Sequence, residues 1–347
     1  MSDSDGDVAD GMPSQTQERF KEKTTRFIRA AAERSDAFRK MYFFDPVHED
    51  VPIDTSRDLF LEKALTRSKG LVQKYPGRVL FMLSYTCAAN CRYCERQDRV
   101  GVSLDAEGRL HDEDIVRAVD FIAANPDVYE VIFSGGDPLS NPRGLELACQ
   151  LLAKVPTVKV LRIHTRYPVQ VPDKIDFDLL GRIAAQRETF YLSIHIDHPD
   201  ELTPETEAVI RRLRKQGFIL LCQSVFLRGI NDDYDTLKRL FGRLFELGVR
   251  PYYIYHCQPI PTTMRFVMDI ADEVALMTRL REEMSGLAFP QHVVELQHTT
   301  GKLIAPTNHW NVDWRKIHDF TGNEYGLRDT TMKVQPPGGV PGKSGTA

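Results

Sequence analysis

The sequence predicts an α/β fold in which a parallel sheet curls into a partial (β/α)6 barrel, and three observations carry that prediction. Short apolar runs at 79–84, 128–134, 158–164, 189–195, 219–225 and 251–256 have the length and composition of buried strands. Longer amphipathic segments, such as 112–125 and 205–216, lie between them, and this alternation builds one parallel sheet with right-handed crossovers. The polar residues that interrupt the runs stand at their C-terminal ends: Ser134-Gly135-Gly136-Asp137, His164, His195, Gln223 and His256-Cys257-Gln258. In barrels that end carries the active site.

Taken in order, residues 1–13 are rich in Asp, Ser and Gly and read as disordered. From Gln15 to about Tyr42 the spacing of Phe20, Phe27, Ile28, Ala31 and Phe38 predicts a helix, packed on the barrel or on a partner subunit of a homo-oligomer. The expected division is a helical extension over 14–74, the barrel over 75–258, a C-terminal segment over 259–332 and a disordered Pro/Gly/Lys tail over 333–347. A hydrophobic fraction of 42%, a charged fraction of 27% and a net charge of −4 describe an ordinary globular enzyme, without the basic excess of a nucleic-acid binder. No apolar run reaches the roughly 18 residues of a membrane span, and the acidic N-terminus lacks the basic and apolar regions of a signal peptide. The expectation is a cytoplasmic protein with no nucleic-acid or membrane partner.

Cys87-x3-Cys91-x2-Cys94 presents three thiolates from one tight loop. A structural zinc needs a fourth Cys or His, and the loop itself carries none. Three ligands leave one iron of a [4Fe-4S] cluster open, and an open iron can bind a small molecule and act on it. Cys149, Cys222 and Cys257 lie in apolar stretches and read as core, which suits a reducing compartment. Ser134-Gly135-Gly136-Asp137 follows a strand directly, and paired glycines let backbone approach a ligand closely. His195 and Gln223, each at a strand end, are either ligand contacts or satisfied interior polar residues.

The cysteine spacing resembles the signature of the radical S-adenosylmethionine (SAM) enzymes. A narrower resemblance rests on Lys74-Tyr75-Pro76-Gly77-Arg78-Val79-Leu80, Cys87-x3-Cys91-Arg92-Tyr93-Cys94-x-Arg96, Phe133-Ser-Gly-Gly-Asp-Pro-Leu139 and Arg162-Ile-His-Thr-Arg166. With His198-Pro-x-Glu201, Gln223-Ser-Val-x-Leu-Arg-Gly-x-Asn-Asp232 and Arg250-Pro-Tyr-Tyr-Ile-Tyr255, these look like the lysine 2,3-aminomutase family, in order, over about residues 40–312. The resemblance implies a radical SAM barrel with an N-terminal helical extension and a C-terminal segment that binds pyridoxal phosphate (PLP). It also implies the site. Cys87, Cys91 and Cys94 would hold the [4Fe-4S] cluster, and Ser134, Gly135, Gly136, Asp137, His195 and Gln223 would hold SAM. Lys302 would carry PLP, with Lys74, Tyr75 and Arg78 at its phosphate, although only Gly301 remains of the glycine run that precedes this lysine in the family. Arg96 would pair with the substrate carboxylate, which suits its planar fork.

The reaction implied is a shift of the amino group of a free α-amino acid from C2 to C3, with a flavodoxin or ferredoxin as electron donor. Desaturation or another oxidation with the same cofactors is an alternative, as is modification of a protein-bound lysine. Lysine-specific members clamp the distal ammonium with two aspartates, and Gln258 and Glu295 stand at those positions here. Loss of one charge argues against lysine and points to arginine, paired with Glu295 and donating to the Gln258 carbonyl, with a neutral or altogether different side chain as the alternative. No cysteine follows Cys257, so the C-terminal structural zinc of some family members is not expected.

Overall fold

The computed structural model describes residues 20–49, 59–100, 110–296 and 301–309, and the backbone of 316–318 and 324–326. The expectations for residues 1–13, for the helix start at Gln15 and for the tail over 333–347 lie outside the described residues. Where a single N-terminal helix was expected, two short ones form: α1 (Arg26–Ala32) and α2 (Asp36–Tyr42). Ser35 breaks the run. Its Oγ accepts from Phe38 N at 3.4 Å, capping α2, and donates to Asp200 Oδ2 at 2.6 Å, which ties the extension to the barrel. A third short helix, α3 (Pro46–Glu49), follows.

Ten strands form one sheet in sequence order. Two short strands, β1 (Thr66–Ser68) and β2 (Leu71–Tyr75), run antiparallel into β3 (Arg78–Ser84). From β3 the sheet is parallel through β4 (Glu130–Gly135), β5 (Val160–Thr165), β6 (Thr189–His195), β7 (Ile219–Val225), β8 (Arg250–Tyr255) and β9 (Gln291–Glu295). An antiparallel strand, β10 (Lys302–Ile304), closes the far side on β9. The sheet does not close on itself, which makes it a partial barrel with one more parallel strand than the six expected. The pair β11 (Lys316–His318) and β12 (Glu324–Gly326) stands apart.

Helices cross between the parallel strands: α4 (Asp112–Ala123), α5 (Pro142–Leu152), the short α6 (Tyr167–Gln170), α7 (Phe177–Ala184), α8 (Pro204–Lys215), α9 (Tyr234–Glu246) and α10 (Ile270–Glu283). Their starts are written locally. Thr203 caps α8 by accepting from Thr206 N at 3.2 Å, with Pro204 in the first turn. One face of the sheet packs on these helices: Phe81, Phe133, Leu161, Ile163, Leu192 and Ile194 bury with Ile115, Ala118, Leu145, Leu213 and Leu237. Each such fully buried Leu, Ile or Phe is worth about 1.5–3 kcal/mol relative to exposure. The opposite pleat faces inward, so the same strands turn Ile132, Ser134, Arg162 and His164 into the barrel. Among the described residues no helix is long and apolar enough to cross a membrane.

Candidate active site

A cavity of about 300 Å³ occupies the inside of the barrel, and every residue nominated from the sequence lines it. The loop after β3 brings Cys87, Cys91 and Cys94, half-buried and not disulfide-bonded. This loop is gripped by the N-terminal extension. Asn90 N donates to Lys23 O and Arg92 N to Met41 O, each at 2.8 Å, and the Lys23 ammonium reaches Cys87 O at 2.5 Å. Arg92 is fully buried, its Nε on Glu49 Oε2 at 2.7 Å and its Nη1 on Phe20 O at 2.9 Å. On the other side Gln170, at the end of α6, clamps the loop: its Oε1 accepts from Ala89 N, and its Nε2 donates to Ala89 O and lies 3.6 Å from Cys91 Sγ. Burial pushes the Cys87 and Cys91 thiols up and the Cys94 thiol up to about 12. A metal that binds them must displace protons.

Gly135 and Gly136 meet this loop back to back. A Cβ on Gly135 would stand 2.2 Å from Ser84 O, and one on Gly136 would stand 2.4 Å from Thr86 O. Gly135 also has a φ of +115°, a region that side chains avoid. The close approach that requires glycine is therefore to the protein's own backbone, where Gly136 N donates to Ser84 O at 2.6 Å. The Asp137 carboxylate is fully engaged: it accepts from Leu139 N, Arg166 N and the Thr165 hydroxyl at 2.7–3.0 Å, fastening the turn to the end of β5.

His195 and Gln223 are register partners at the ends of β6 and β7. Sequence reasoning missed what stands behind them. Asp197, fully buried, accepts from Arg166 Nη1 at 2.6 Å, Val225 N at 2.7 Å, His195 Nε2 at 3.1 Å and the hydroxyl of Tyr93, which lies between the cysteines. Arg166 also pairs with Glu201 and donates to the Tyr42 hydroxyl at 2.7 Å, so α2, the cysteine loop and three strand ends share one buried polar network. Burial pushes the Asp197 carboxyl up, but His195 and Arg166 outweigh it and hold the group below the usual range.

At the other end of the cavity, antiparallel pairing sets Lys302 directly opposite Glu295. Glu295 Oε2 lies 2.5 Å from Lys302 Nζ and its Oε1 lies 3.0 Å from Lys74 Nζ. Burial alone would lower the Lys302 ammonium, but Tyr255, whose ring lies 4.5 Å beneath it, and Glu295 hold it above its usual range. Arg78 stacks on the Tyr75 ring at 3.9 Å, and the buried Tyr75 hydroxyl has no hydrogen-bond partner. Gln258 Nε2 donates to Glu295 O at 2.8 Å, which leaves its buried Oε1 without a donor. Arg96 meets Glu95 and Glu62, each at 3.0 Å, and its buried Nε is unpartnered. Arg162 and His164 were quoted in a motif but given no role, though their alternation with Leu161 and Ile163 marks them as inward-pointing. Arg162 binds Glu130 at 2.6 Å and the Tyr252 hydroxyl at 3.2 Å. Burial, then Arg162, Lys302 and Arg96, hold His164 well below its usual range, so it is neutral.

Residues 81–241 match the Radical SAM superfamily, which gives the class of the protein. Within it, the chain is 34% identical over 259 residues to the L-lysine 2,3-aminomutase of Fusobacterium nucleatum, covering 74% of this chain and 57% of that protein. It is 33% identical to the L-lysine 2,3-aminomutase of Haemophilus influenzae over 250 residues, 72% of this chain and 73% of that one. With the Escherichia coli L-lysine 2,3-aminomutase the identity is 33% over 237 residues, 68% of each. The chain belongs to the lysine 2,3-aminomutase family, and it spans little more than half the length of the Fusobacterium relative.

Proposed function

We propose that the protein is a radical SAM, PLP-dependent aminomutase that moves the amino group of a free α-amino acid from C2 to C3. The observation that carries this is that Lys302 and the three loop cysteines, far apart in sequence, open onto one cavity. The residues fit the groups the family implies. Cys87, Cys91 and Cys94 are three free thiols that line the cavity from one loop, the donor set an iron–sulfur cluster takes. Lys302 is a cavity-lining amine, and Lys74, Arg78 and the unpartnered Tyr75 hydroxyl are suitable donors for a phosphate. When bound, the cluster with SAM supplies hydrogen-atom abstraction, and PLP supplies a π-system across which nitrogen can move.

The chain does the rest. Cys87, Cys91 and Cys94 would hold the cluster. Ser134, Gly135, Gly136, His195 and Gln223 would line the SAM site, with Asp137 and Asp197 fixing the turn and the His195 ring behind them. Lys302 would anchor PLP through its Nζ once that atom gives up its proton. Arg96 would take the substrate carboxylate on its guanidinium, whose buried Nε is unpartnered. The aromatic wall of Tyr252, Tyr253 and Tyr255 would keep water away, so that the reactive species meets only the aimed C–H bond.

The test is anaerobic reconstitution with iron, sulfide, PLP and SAM, a flavodoxin or ferredoxin as reductant, and a panel of α-amino acids separated by chiral chromatography. A β-amino acid formed with SAM regenerated is the expected result. One SAM consumed per turnover, with an oxidised product, would replace the aminomutase reading by an oxidase one.

A further inference from the structure

Resting on the radical SAM part of that reading, we propose that the outer face of the N-terminal extension is the surface on which an acidic one-electron carrier protein docks to reduce the cluster. A protein cannot enter a cavity of about 300 Å³, so an electron that it delivers must pass through the outer side of the cysteine loop. Electron transfer weakens steeply with distance, and the carrier therefore has to sit on whatever covers that side. The extension is that cover. Lys21 O accepts from Asn90 Nδ2 and Lys23 O from Asn90 N, each at 2.8 Å, and Thr25 Oγ1 donates to Gln170 O at 2.7 Å. Segment 21–25 thus lies across the loop as far as α6. Lys23 is itself exposed, and its ammonium rests on Cys87 O, so one side chain spans from solvent to a cysteine carbonyl.

The charge of this cover is opposite to that of the chain. Residues 20–42 hold seven Lys and Arg against three Asp and Glu, in a protein whose net charge is −4, and all seven cations are exposed. Asp36 is taken by Arg39 and Lys40, and Glu22 accepts from Phe44 N at 3.0 Å. Among the described residues Lys21, Lys23, Arg26 and Arg29 are paired with no carboxylate. Helix stability does not explain this charge. Arg26 opens α1, where the helix dipole favours an anion, and the first turn holds no acidic residue. Beside these cations lies a groove of about 550 Å³, lined by Arg29, Arg39, Lys40 and Arg265 against Glu33 and Asp45, together with Phe43 and Phe44. The Phe44 ring stands 5.5 Å from the guanidinium of Arg92, in the cysteine loop, so groove and loop are in contact. Apolar groups inside a charged rim suit a transient protein interface, and the positive excess would steer an acidic partner onto it. One electron leaves the carrier and enters the cluster held by Cys87, Cys91 and Cys94; no atom is transferred.

Arg26→Glu/Arg29→Glu reverses two exposed charges that are neighbours on one helix face. The gain at the first turn of α1 offsets the loss at the last, so the urea midpoint is expected to stay unchanged. In the reconstituted full chain, SAM cleavage is driven either by an acidic flavodoxin or by reduced methyl viologen, a small cation. The expected result is a fall of about tenfold or more in the flavodoxin-dependent kcat/KM at about 0.02 M salt, shrinking at about 0.5 M, with the viologen-driven rate unchanged or raised. Unchanged flavodoxin kinetics overturn the proposal, and so does an equal fall with both reductants. Binding of the same flavodoxin to the metal-free full chain is measured in parallel. Equal affinity of wild type and variant overturns the docking face even where SAM is cleaved. Affinity lost in the variant, with no SAM cleavage by either reductant in the wild type, keeps the docking face and removes the radical SAM chemistry. A duplex oligonucleotide bound by the wild type and lost by the variant, with flavodoxin kinetics unaltered, would assign the face to nucleic acid instead.

Discussion

Replacing Asp197 by asparagine keeps the side chain's size and removes its charge at the centre of the network behind the cysteine loop. Four donors converge on the carboxylate: Arg166 Nη1, His195 Nε2, Val225 N and the Tyr93 hydroxyl. Asparagine offers one accepting oxygen and turns an NH2 group toward the other donors, so about two buried donors lose their partner, at roughly 1–3 kcal/mol each. Arg166 retains Glu201, which keeps the charge penalty near the lower end of the roughly 3–5 kcal/mol for breaking a buried pair. The expected destabilisation is therefore about 3–4 kcal/mol, a large share of the roughly 5–15 kcal/mol that holds a domain folded. Urea unfolding of the metal-free chain at constant m-value measures it. Because the native carboxyl lies below its usual range, its contribution is complete above about pH 4 and lost only as pH falls through the depressed value. Across about pH 5 to 8 the Asp197 carboxyl stays ionised, so its own titration adds no pH dependence to the difference between wild type and variant, and the His195 it contacts can only make that difference fall as pH rises. A loss below about 1 kcal/mol, or one that grows with pH across that window, would refute the reasoning.

Three further outcomes follow from the same geometry. Gly136→Ala puts a Cβ 2.4 Å from Thr86 O, a backbone atom that cannot swing away, so a destabilisation of about 1–3 kcal/mol and reduced iron uptake are expected. An alanine variant with wild-type stability and iron content would show that the turn does not seat the loop. With its thiol pushed up to about 12, Cys94 of the metal-free chain should react with iodoacetamide at pH 8 at least ~100-fold more slowly than a free cysteine. Equal rates would mean that the loop is open to water. Gln170→Leu removes the clamp on Ala89 and the amide near Cys91 Sγ, and is expected to cost about 1–2 kcal/mol and to lower the midpoint potential of the reconstituted cluster. A potential that rises or stays fixed contradicts that role.

The six apolar runs of the parallel sheet were legible because their outward residues all pack on helices, as Phe81, Phe133 and Ile163 do, and their ends fall within two residues of the observed strands. β9 was not legible. Its sequence, Gln-His-Val-Val-Glu, carries Glu295 on the cavity face, and the polar inward side leaves only two apolar residues in the run. β1 and β10 have only three residues each, and β1 and β2 are joined to their antiparallel neighbours by two-residue turns, so none of the three leaves a run long enough to show a period. The single helix over 15–42 failed at Ser35, whose hydroxyl serves a cap and an Asp200 contact that periodicity cannot foresee. Motif spacing named the residues of the cavity, but the partners of those residues follow from register. Glu295 and Lys302 were each named from the motif, but that they lie directly opposite each other follows from the register of β9 and β10.

The central claim, that the cysteine loop and Lys302 act on one bound amino acid, is tested most directly by isotope transfer. SAM deuterated at C5′ is incubated with the reconstituted, reduced enzyme, PLP and the amino acid that turns over, and deuterium is sought in the recovered α- and β-amino acids. Deuterium in both, abolished by Lys302→Ala although SAM still binds the cluster, is the predicted result. Deuterium confined to SAM-derived products, or transfer that survives Lys302→Ala undiminished, would contradict the account.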